Sequence, residues 1–283
     1  MNLTFPMMKR IQLKNKLRIT LPHLASTGCG TCNISGVFYL EQLDYKLEYN
    51  SVADKSDGYT VIIVAAGNSV RMKGISKQFL SLCGIPVIAR TLLAFENNRY
   101  INRIILVTKS EYIADMQYIG DKYLVTKLSD IVAGGNTRQE SVVNGLNMLG
   151  DEEFVLIHDG ARPLVTDKVI SNVCNAINTD TKAVICGIKI TDTVKKVNNG
   201  LVEKTIDRSD LIRVQTPQAV NVAIYKQAIE NTDVAVFTDD SSIMESAGHS
   251  VTVVDGDMRN IKITTPADIM LAEYFIKNSG DTE

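Results

Sequence analysis

The chain has 283 residues and a mass of 31.1 kDa, enough for one large α/β domain with a buried core. It carries 30 Lys and Arg against 32 Asp and Glu, so it lacks the basic surplus of a nucleic-acid-binding protein. Its longest apolar runs, such as 61–66 and 154–157, are far shorter than the ~20 residues that cross a bilayer. We therefore expect a soluble globular protein that binds neither nucleic acid nor a membrane.

The amino-terminal part of the chain differs in composition from the rest. The first forty residues contain no Asp or Glu, and basic residues cluster between Lys9 and Arg18. Plastid targeting is one explanation, but the segment is poor in Ser and has no clear amphipathic Arg face, so we interpret it as a basic leader. The polar stretch from Leu40 to Gly58 is typical of a linker. The sequence thus predicts an extension of unknown function over 1–57 and the main domain over 58–283.

Five cysteines, at 29, 32, 83, 174 and 186, form no regular framework. An odd, unpatterned set fits reduced thiols in the cytoplasm better than secretion. Cys29 and Cys32 have Cys-x-x-Cys spacing, but no second pair follows, and we interpret this match as accidental.

From Tyr59 onward, strand-like and helix-like segments alternate, which predicts a Rossmann-like α/β fold with a mainly parallel sheet flanked by helices. The predicted strands are Thr60–Ala65, Arg103–Thr108, Asp130–Ala133, Phe154–His158, Ala183–Gly187 and Ser250–Val254. The predicted helices are Pro86–Asn97, Glu111–Tyr118, Thr137–Leu149, Asp167–Asn178, Val222–Glu230, Asp239–Ala247 and Pro266–Ile276. Asn136 and Gln139 resemble a capping box for the third of these helices.

One segment breaks the alternation. Residues 188–213 contain two β-like runs around Asn199-Gly200, a strong hairpin signal. Both runs alternate apolar and charged residues, so the hairpin should project from the domain as an arm. Its apolar face needs a cover, and a second copy of the chain is the simplest one. The pattern therefore predicts a homodimer formed through this arm.

Three turns with small or charged residues follow predicted strands. Ala65-Ala66-Gly67 lets backbone N–H groups approach phosphate oxygens, and Arg71 and Lys77 add positive charge. Gly134-Gly135 precedes a helix, where a base, ribose or phosphate can bind. Asp159 follows an apolar strand, a natural position for a Mg²⁺ ligand or a sugar-hydroxyl acceptor. Since ligands bind at the carboxyl ends of parallel strands, the three turns together predict a nucleotide site.

The order of motifs resembles the 2-C-methyl-D-erythritol 4-phosphate cytidylyltransferase family, a branch of the nucleotide-diphospho-sugar transferase-like folds. The resemblance runs from about Tyr59 to the C-terminus and covers nothing before Asp57. Its motifs are Ala65-Ala66-Gly67-x-x-x-Arg71-Met72, Lys77-Gln78-Phe79-Leu80, Gly134-Gly135-x-x-Arg138-x-x-Ser141-Val142, His158-Asp159-Gly160-Ala161-Arg162-Pro163, Asp192-Thr193-Val194-Lys195, Asp207-Arg208, Gln215-Thr216-Pro217-Gln218, Thr238-Asp239-Asp240 and Asn260-Ile261-Lys262.

The resemblance implies CMP transfer from CTP to a polyol phosphate, 2-C-methyl-D-erythritol 4-phosphate, with Mg²⁺ as cofactor. The residues it assigns to the nucleotide are Ala65, Ala66, Gly67, Gly135, Asn136, Ser141 and Gly160. The residues it assigns to catalysis are Arg71 and Lys77 on the triphosphate, and Asp159 with Lys262 on substrate hydroxyls and the metal. The residues it assigns to the acceptor are Thr193, Arg208, Thr216 and Arg162, with Arg208 serving the partner's site across the dimer.

Two positions depart from the family pattern, and two alternatives stay open. Ser69 stands where the family commonly has Gly, and Asn136 stands where some members have Asp; either could weaken CTP binding. One alternative is a ribitol-5-phosphate cytidylyltransferase of teichoic acid synthesis. The other is a non-catalytic nucleotide-binding homologue, because a fold alone proves no activity.

Overall fold

The computed structural model describes residues 58–67, 76–231, 237 and 239–278. The strands are β1 (Tyr59–Val64), β2 (Ser81–Leu82), β3 (Ile85–Pro86), β4 (Ile101–Thr108), β5 (Leu128–Ala133), β6 (Phe154–Asp159), β7 (Ala183–Lys189), β8 (Val194–Asn198), β9 (Leu201–Ile206), β10 (Ile212–Asn221) and β11 (Thr252–Asp255). The helices are α1 (Val87–Glu96), α2 (Ile113–Lys122), α3 (Arg138–Leu146), α4 (Asp167–Ala176), α5 (Val222–Glu230), α6 (Asp240–Ser246) and α7 (Pro266–Lys277).

Seven strands form the central sheet, in the order β11-β7-β10-β6-β1-β4-β5. Their pairings are parallel except for β10, which lies antiparallel between β6 and β7. All six predicted strands and all seven predicted helices are present, and their ends differ from the prediction by a few residues. The predicted α/β fold is therefore confirmed.

Strand β10 was not predicted. Its sequence carries Pro217, which cannot donate to a sheet ladder, among the polar residues Gln215, Thr216 and Gln218. The structure accommodates the proline at a register shift between Gln215 and Gln218, so the strand pairs on both sides of the irregularity.

The two faces of the sheet carry separate apolar cores because side chains alternate along each strand. Val61 and Ile63 of β1 pack with α1, α2 and α4, whereas Ile62 packs with α3, α5 and α6. The predicted N-cap of helix α3 is off by one residue. The N-cap is Thr137 and not Asn136, and the Thr137 side chain accepts a hydrogen bond from the Glu140 N–H. Among the described residues, no helix is long and apolar enough to span a bilayer.

The predicted hairpin is present as β8 and β9, joined by Asn199 and Gly200, whose φ angles of 49° and 81° suit a two-residue hairpin turn. The structure corrects its boundaries. Residues 188–189 and 212–213 pair with each other as the ends of β7 and β10, so the separate two-stranded part spans 194–206. Three of its apolar side chains, Val197, Leu201 and Val202, are exposed in the single chain, with Leu201 75% exposed.

Candidate active site

A cleft of about 440 Å³ opens at the carboxyl edge of the sheet, where β1, β4, β5 and β6 end. Its walls combine the three turns that the sequence singles out with residues from distant parts of the chain. The described residues that line it are Val64, Ala65, Ala66, Gly67, Lys77, Gln78, Lys109, Ser110, Glu111, Gly134, Gly135, Asn136, Thr137, Arg138, Ser141, Asp159, Ala161 and Lys262. The predicted convergence of the turns on one edge is therefore confirmed.

The turn after β1 is fixed at its beginning. The Ala65 N–H donates to Val107 O at 2.7 Å, and the side-chain amide of the buried Gln78 donates to Ala65 O. Gly67 is exposed, and among the described residues none lies within 4 Å of a Cβ placed there. Arg71 and Ser69 lie outside the described residues.

The turn after β5 brings a second wall close to the first. A Cβ on Gly134 would collide with Ala66, so only glycine allows this approach. The Gly135 N–H donates to Ser141 Oγ at 3.1 Å, and the Asn136 N–H donates to Glu140 Oε2 at 2.7 Å. The start of α3 is thus tied to a glycine turn that faces the cleft.

Asp159, at the end of β6, is the acidic centre of the cleft. Its Oδ2 lies 2.8 Å from Lys262 Nζ and 3.6 Å from Arg162 Nε, and its Oδ1 lies 3.4 Å from Arg138 Nε. Burial raises the pKa of Asp159, but the three cations outweigh burial and hold this pKa well below its usual value. The carboxyl group is therefore ionised at neutral pH.

Arg138 belongs to one of the sequence motifs but has no predicted role. In the structure it links two carboxylates, those of Asp159 and Asp240. Its two terminal nitrogens lie 3.0 Å and 2.6 Å from the carboxylate oxygens of Asp240, which is fully buried and also accepts from Tyr225 Oη at 2.8 Å. Burial lowers the pKa of Arg138, but the charge and hydrogen bonds of Asp240 outweigh it and raise this pKa. Three of the five guanidinium N–H donors are thus committed to carboxylates.

A chain of hydrogen bonds supports Asp159 from below. The Asp159 N–H donates to Thr216 Oγ1 at 3.0 Å, and this hydroxyl lies 3.1 Å from Nδ1 of the fully buried His158. The other ring nitrogen, Nε2, lies 3.3 Å from Arg162 O. A carbonyl can only accept, so the ring carries its proton on Nε2 and accepts from Thr216 on Nδ1. Burial lowers the pKa of His158 to about 3, and the ring is neutral.

Lys77 begins a short 3₁₀ turn and reaches the same region as Lys262. Its Nζ donates to Ile263 O at 3.2 Å, next to the residue whose ammonium group contacts Asp159. The structure therefore places the two lysines that the sequence assigns to catalysis on one side of the cleft.

A family model for 2-C-methyl-D-erythritol 4-phosphate cytidylyltransferase matches residues 59–278 of the chain. The chain belongs to this family. A 2-C-methyl-D-erythritol 4-phosphate cytidylyltransferase from Halalkalibacterium halodurans is 42% identical over 221 residues, which cover 77% of this chain and 96% of that protein. One from Geobacillus kaustophilus is 43% identical over 221 residues, with the same shares covered.

Solved structures of cytidylyltransferases from this family have the same fold. The 4-diphosphocytidyl-2C-methyl-D-erythritol synthase of Anaerococcus prevotii is 32% identical, with a TM-score of 0.69, and the match covers 78% of this chain and 97% of that one. The fold and the family therefore agree, and the family is the one that the motifs in the sequence indicate.

Some residues that the family resemblance assigns do not line the cleft. Gly160 lies behind it, where a Cβ would be only 3.0 Å from Ala65 Cβ. Thr216 is buried beneath Asp159, and Arg162 donates to Asn260 O at 2.8 Å. Thr193 and Arg208 are exposed beside the arm and are not among the described residues that line the cleft of this single chain.

The cytidylyltransferase cleft also contains residues to which sequence reasoning gave no role. Lys109 and Glu111 follow β4, a strand end that carries none of the quoted motifs. Lys109 could have been found from the sequence, because it directly follows a predicted parallel strand, and ligands bind where such strands end. For Arg138 the signal was its place in a motif, but its partner Asp240 lies 102 positions away.

The donor groups of the cleft allow a Mg²⁺ ion that arrives with a polyphosphate. No group of three or more His, Cys, Asp or Glu side chains suited to a metal exists among the described residues. Mg²⁺ commonly binds through one or two carboxylates plus substrate phosphates and water, and the ionised Asp159 supplies one such carboxylate. The residues present therefore fit a metal that is shared with the nucleotide.

Proposed function

We propose that this chain transfers the CMP group of CTP to 2-C-methyl-D-erythritol 4-phosphate, giving 4-diphosphocytidyl-2-C-methyl-D-erythritol and pyrophosphate. The observation that carries the proposal is the cleft itself. It combines glycine and alanine turns of a nucleotide site with Lys77, Lys262 and an ionised Asp159. The chain's membership of the cytidylyltransferase family supplies the nucleotide and the acceptor.

The reaction needs alignment and charge neutralisation more than proton transfer. An oxygen of the acceptor's phosphate monoester attacks the α-phosphorus of CTP in line, the bond to the bridging oxygen breaks, and pyrophosphate leaves with the electron pair. The monoester is already anionic at neutral pH, so no general base is required. In this proposal Lys77 and Arg71 stabilise charge on the triphosphate, and Lys262, which lies 2.8 Å from Asp159, binds substrate hydroxyls with it.

We assign Asp159 as the protein ligand of a Mg²⁺ ion bound with CTP. When bound, this ion neutralises charge on the phosphoryl oxygens. The backbone of Ala65, Ala66 and Gly67 accommodates the phosphates, while Gly135, Asn136 and Ser141 form the wall for cytosine and ribose. Gly160, directly after β6, supports this arrangement because its missing side chain leaves room for Ala65 in the turn after β1.

We further propose that the working enzyme is a homodimer formed through the arm at residues 194–206. The exposed apolar residues Val197, Leu201 and Val202 support this assembly because a monomer would leave them in water. Arg208 and Thr193 lie beside the arm and outside the chain's own cleft, which suits residues that complete the partner's acceptor site.

We place this reaction in the cytoplasm and assign it to residues 58–283, with 1–57 left without a role. The described cysteines support a reducing compartment. Cys174 and Cys186 are buried and unpaired, and burial raises the pKa of each thiol to about 12.

The activity is tested by incubating the full chain with CTP, Mg²⁺ and one polyol phosphate at a time, and measuring pyrophosphate release. We expect release with 2-C-methyl-D-erythritol 4-phosphate and little with ribitol 5-phosphate or without an acceptor. Faster release with ribitol 5-phosphate would replace the proposed acceptor by the alternative one. No release with either acceptor, together with CTP binding in calorimetry, would make the chain a non-catalytic homologue.

Sharing of the site between two chains is tested by mixing inactive variants. Lys77→Ala damages a chain's own cleft, and Arg208→Ala damages the partner's acceptor site. In a mixed dimer, one of the two sites keeps both residues, so random exchange of subunits should restore about a quarter of the wild-type rate. A mixture no more active than its components would contradict the shared site.

A further inference from the structure

The segment from Gly256 to Ile263 links β11 to α7, and it fixes the cations of the cleft without being a helix or a strand. Its Lys262 Nζ lies 2.8 Å from Asp159 Oδ2. Ile263 O accepts from Lys77 Nζ at 3.2 Å, and Asn260 O accepts from Arg162 Nη1 at 2.8 Å. The position of this segment therefore determines where Lys262 and Arg162 meet the Asp159 carboxylate and where the Lys77 ammonium group lies.

One buried side chain from outside the segment, that of Gln215 on β10, makes four hydrogen bonds to it, between the backbone contacts of Gly256 with Gly187 O and of Ile263 with Ala161 O. Its Nε2 donates to Asp257 O at 2.9 Å and to Asn260 O at 3.3 Å. Its Oε1 accepts from the Asp257 N–H at 3.2 Å and from Asn260 Nδ2 at 3.4 Å. The backbone partners fix which end of the amide is which, because an N–H must donate and a carbonyl must accept.

The segment lies close to the amide at Gly256. A Cβ on this residue would collide with Gln215 Oε1 and make a tight contact with the backbone of Gly187, so the chain passes directly beside the amide. Asn260, which is fully buried, adds a hydrogen bond from Nδ2 to Thr216 O at 2.9 Å. The segment is thus tied to two consecutive residues of β10, one of which also supports Asp159.

We propose that Gln215 is a positioning residue for the reaction and that it acts through Lys262. It is only 5% exposed and is not among the described residues that line the cleft, so it does not bind substrate. Without the Gln215 amide, the Asp257 N–H loses its partner and the Asp257 carbonyl keeps only the Asn260 N–H, 3.0 Å away. The segment then moves toward water to replace the lost hydrogen bonds. Lys262 then leaves the place where it meets Asp159 and an incoming phosphate. Geometric errors of about 1 Å can cost about 100-fold in rate.

The test rests on the proposed function and uses Gln215→Met, which has a similar length and no hydrogen-bonding amide. We expect kcat to fall about 10-fold or more while KM for CTP changes less than about threefold, because the nucleotide walls are untouched. In a Lys262→Ala background, the same substitution should lower kcat by less than about twofold, because the residue through which it acts is already absent.

The matched control is Asn98→Leu, which removes another fully buried amide at the opposite end of the sheet. Asn98 Nδ2 donates to Asp167 Oδ1 at 2.7 Å, and its Oδ1 accepts from the Tyr100 N–H. This variant should lower the urea midpoint and leave kcat within about twofold of wild type. If Gln215→Met does not fold, Gln215→Glu takes its place. The Glu side chain keeps the acceptor contacts of Oε1 and loses both donor contacts of Nε2. Its loss of kcat should likewise shrink to less than about twofold in the Lys262→Ala background.

The inference would be overturned by wild-type kcat in the folded Gln215 variant, or by an equal loss of kcat with and without Lys262. A loss of kcat as large in Asn98→Leu would also overturn it, because the effect would then follow stability alone. These failures differ from failure of the proposed function, in which the wild-type chain itself releases no pyrophosphate.

Discussion

The buried His158 should make the stability of the fold depend on pH between 7 and 5. Its side chain is fully buried, its ring centroid lies 4.8 Å from that of Phe95, and burial lowers its pKa from 6.5 to about 3. Arg162 lowers this pKa further, whereas Asp159 raises it. Below pH 6.5 the unfolded chain takes up a proton on this residue and the folded chain does not. Stability is therefore fully present above pH 6.5 and is lost as the pH falls toward 3.

The magnitude follows from the two pKa values. Between pH 7 and pH 5 the difference in proton uptake lowers the free energy of unfolding by about 2 kcal/mol, and the full loss below pH 3 is about 5 kcal/mol. Asp159 contributes little above pH 5, because its pKa is below 5 in the unfolded chain and is lowered further in the folded one.

The assay is urea unfolding of wild type, His158→Gln and His249→Gln at several pH values. His158→Gln should be less stable at pH 7, since it loses the ring contact with Phe95, but its free energy of unfolding should fall by about 2 kcal/mol less between pH 7 and pH 5. His249→Gln, at a partly exposed position shortly after the end of α6, should keep the wild-type slope. Equal slopes for all three proteins would refute the reasoning, because they would mean that His158 takes up its proton in the folded state too.

Three further predictions concern the cleft. Lys77→Ala should lower kcat about 100-fold, while Lys122→Ala on the exposed end of α2 should not; near-normal turnover of the first variant would remove Lys77 from catalysis. Asp240→Asn removes the bidentate carboxylate partner of the largely buried Arg138 and should lower the free energy of unfolding in urea by about 3 kcal/mol or more. The control Lys196→Ala, which breaks an exposed ion pair with Glu203, should lower it by less than about 1 kcal/mol. Gly134→Ala should push the turn away from Ala66 and weaken CTP binding, measured by calorimetry, about 10-fold or more. Gly150→Ala is the control, because its Cβ makes only an ordinary contact with Glu152. Unchanged CTP affinity in Gly134→Ala would show that the turn adjusts to the added methyl group without harm to the site.

The sequence allowed the sheet and the site edge to be predicted because both depend on local patterns. Buried parallel strands appear as short apolar runs, and glycine or aspartate at their ends marks the ligand-binding edge. Strand β10 escaped prediction because Pro217 and its polar neighbours contradict strand propensity, and only the tertiary structure supplies their partners. Gln215 bonds to Asp257 and Gln218 bonds to the backbone of Asp240, contacts that no local pattern encodes.

The long-range pairs of the cleft could not be predicted for the same reason. Arg138 and Asp240 are 102 positions apart, and they meet because α3 and α6 lie on the same face of the sheet. The N-cap of α3 shows that even a local feature can be predicted only to within one residue. Thr137 and Asn136 are both good N-cap residues, and the choice between them depends on the path of the preceding glycine turn.

The cluster around Asp159 assigns different tasks to its three cations. Arg138 is held by the buried Asp240, and Arg162 is held by Asn260 O, so both guanidinium groups have anchors besides Asp159. Lys262 has a flexible stem, its side chain is 41% exposed, and it lines the cleft. Under the proposed function, an incoming phosphate draws Lys262 from Asp159 while the two arginines still neutralise the carboxylate. The anchored arginines keep Asp159 ionised and oriented, which leaves Lys262 as the cation of this cluster that is free to follow the charge of the proposed substrate.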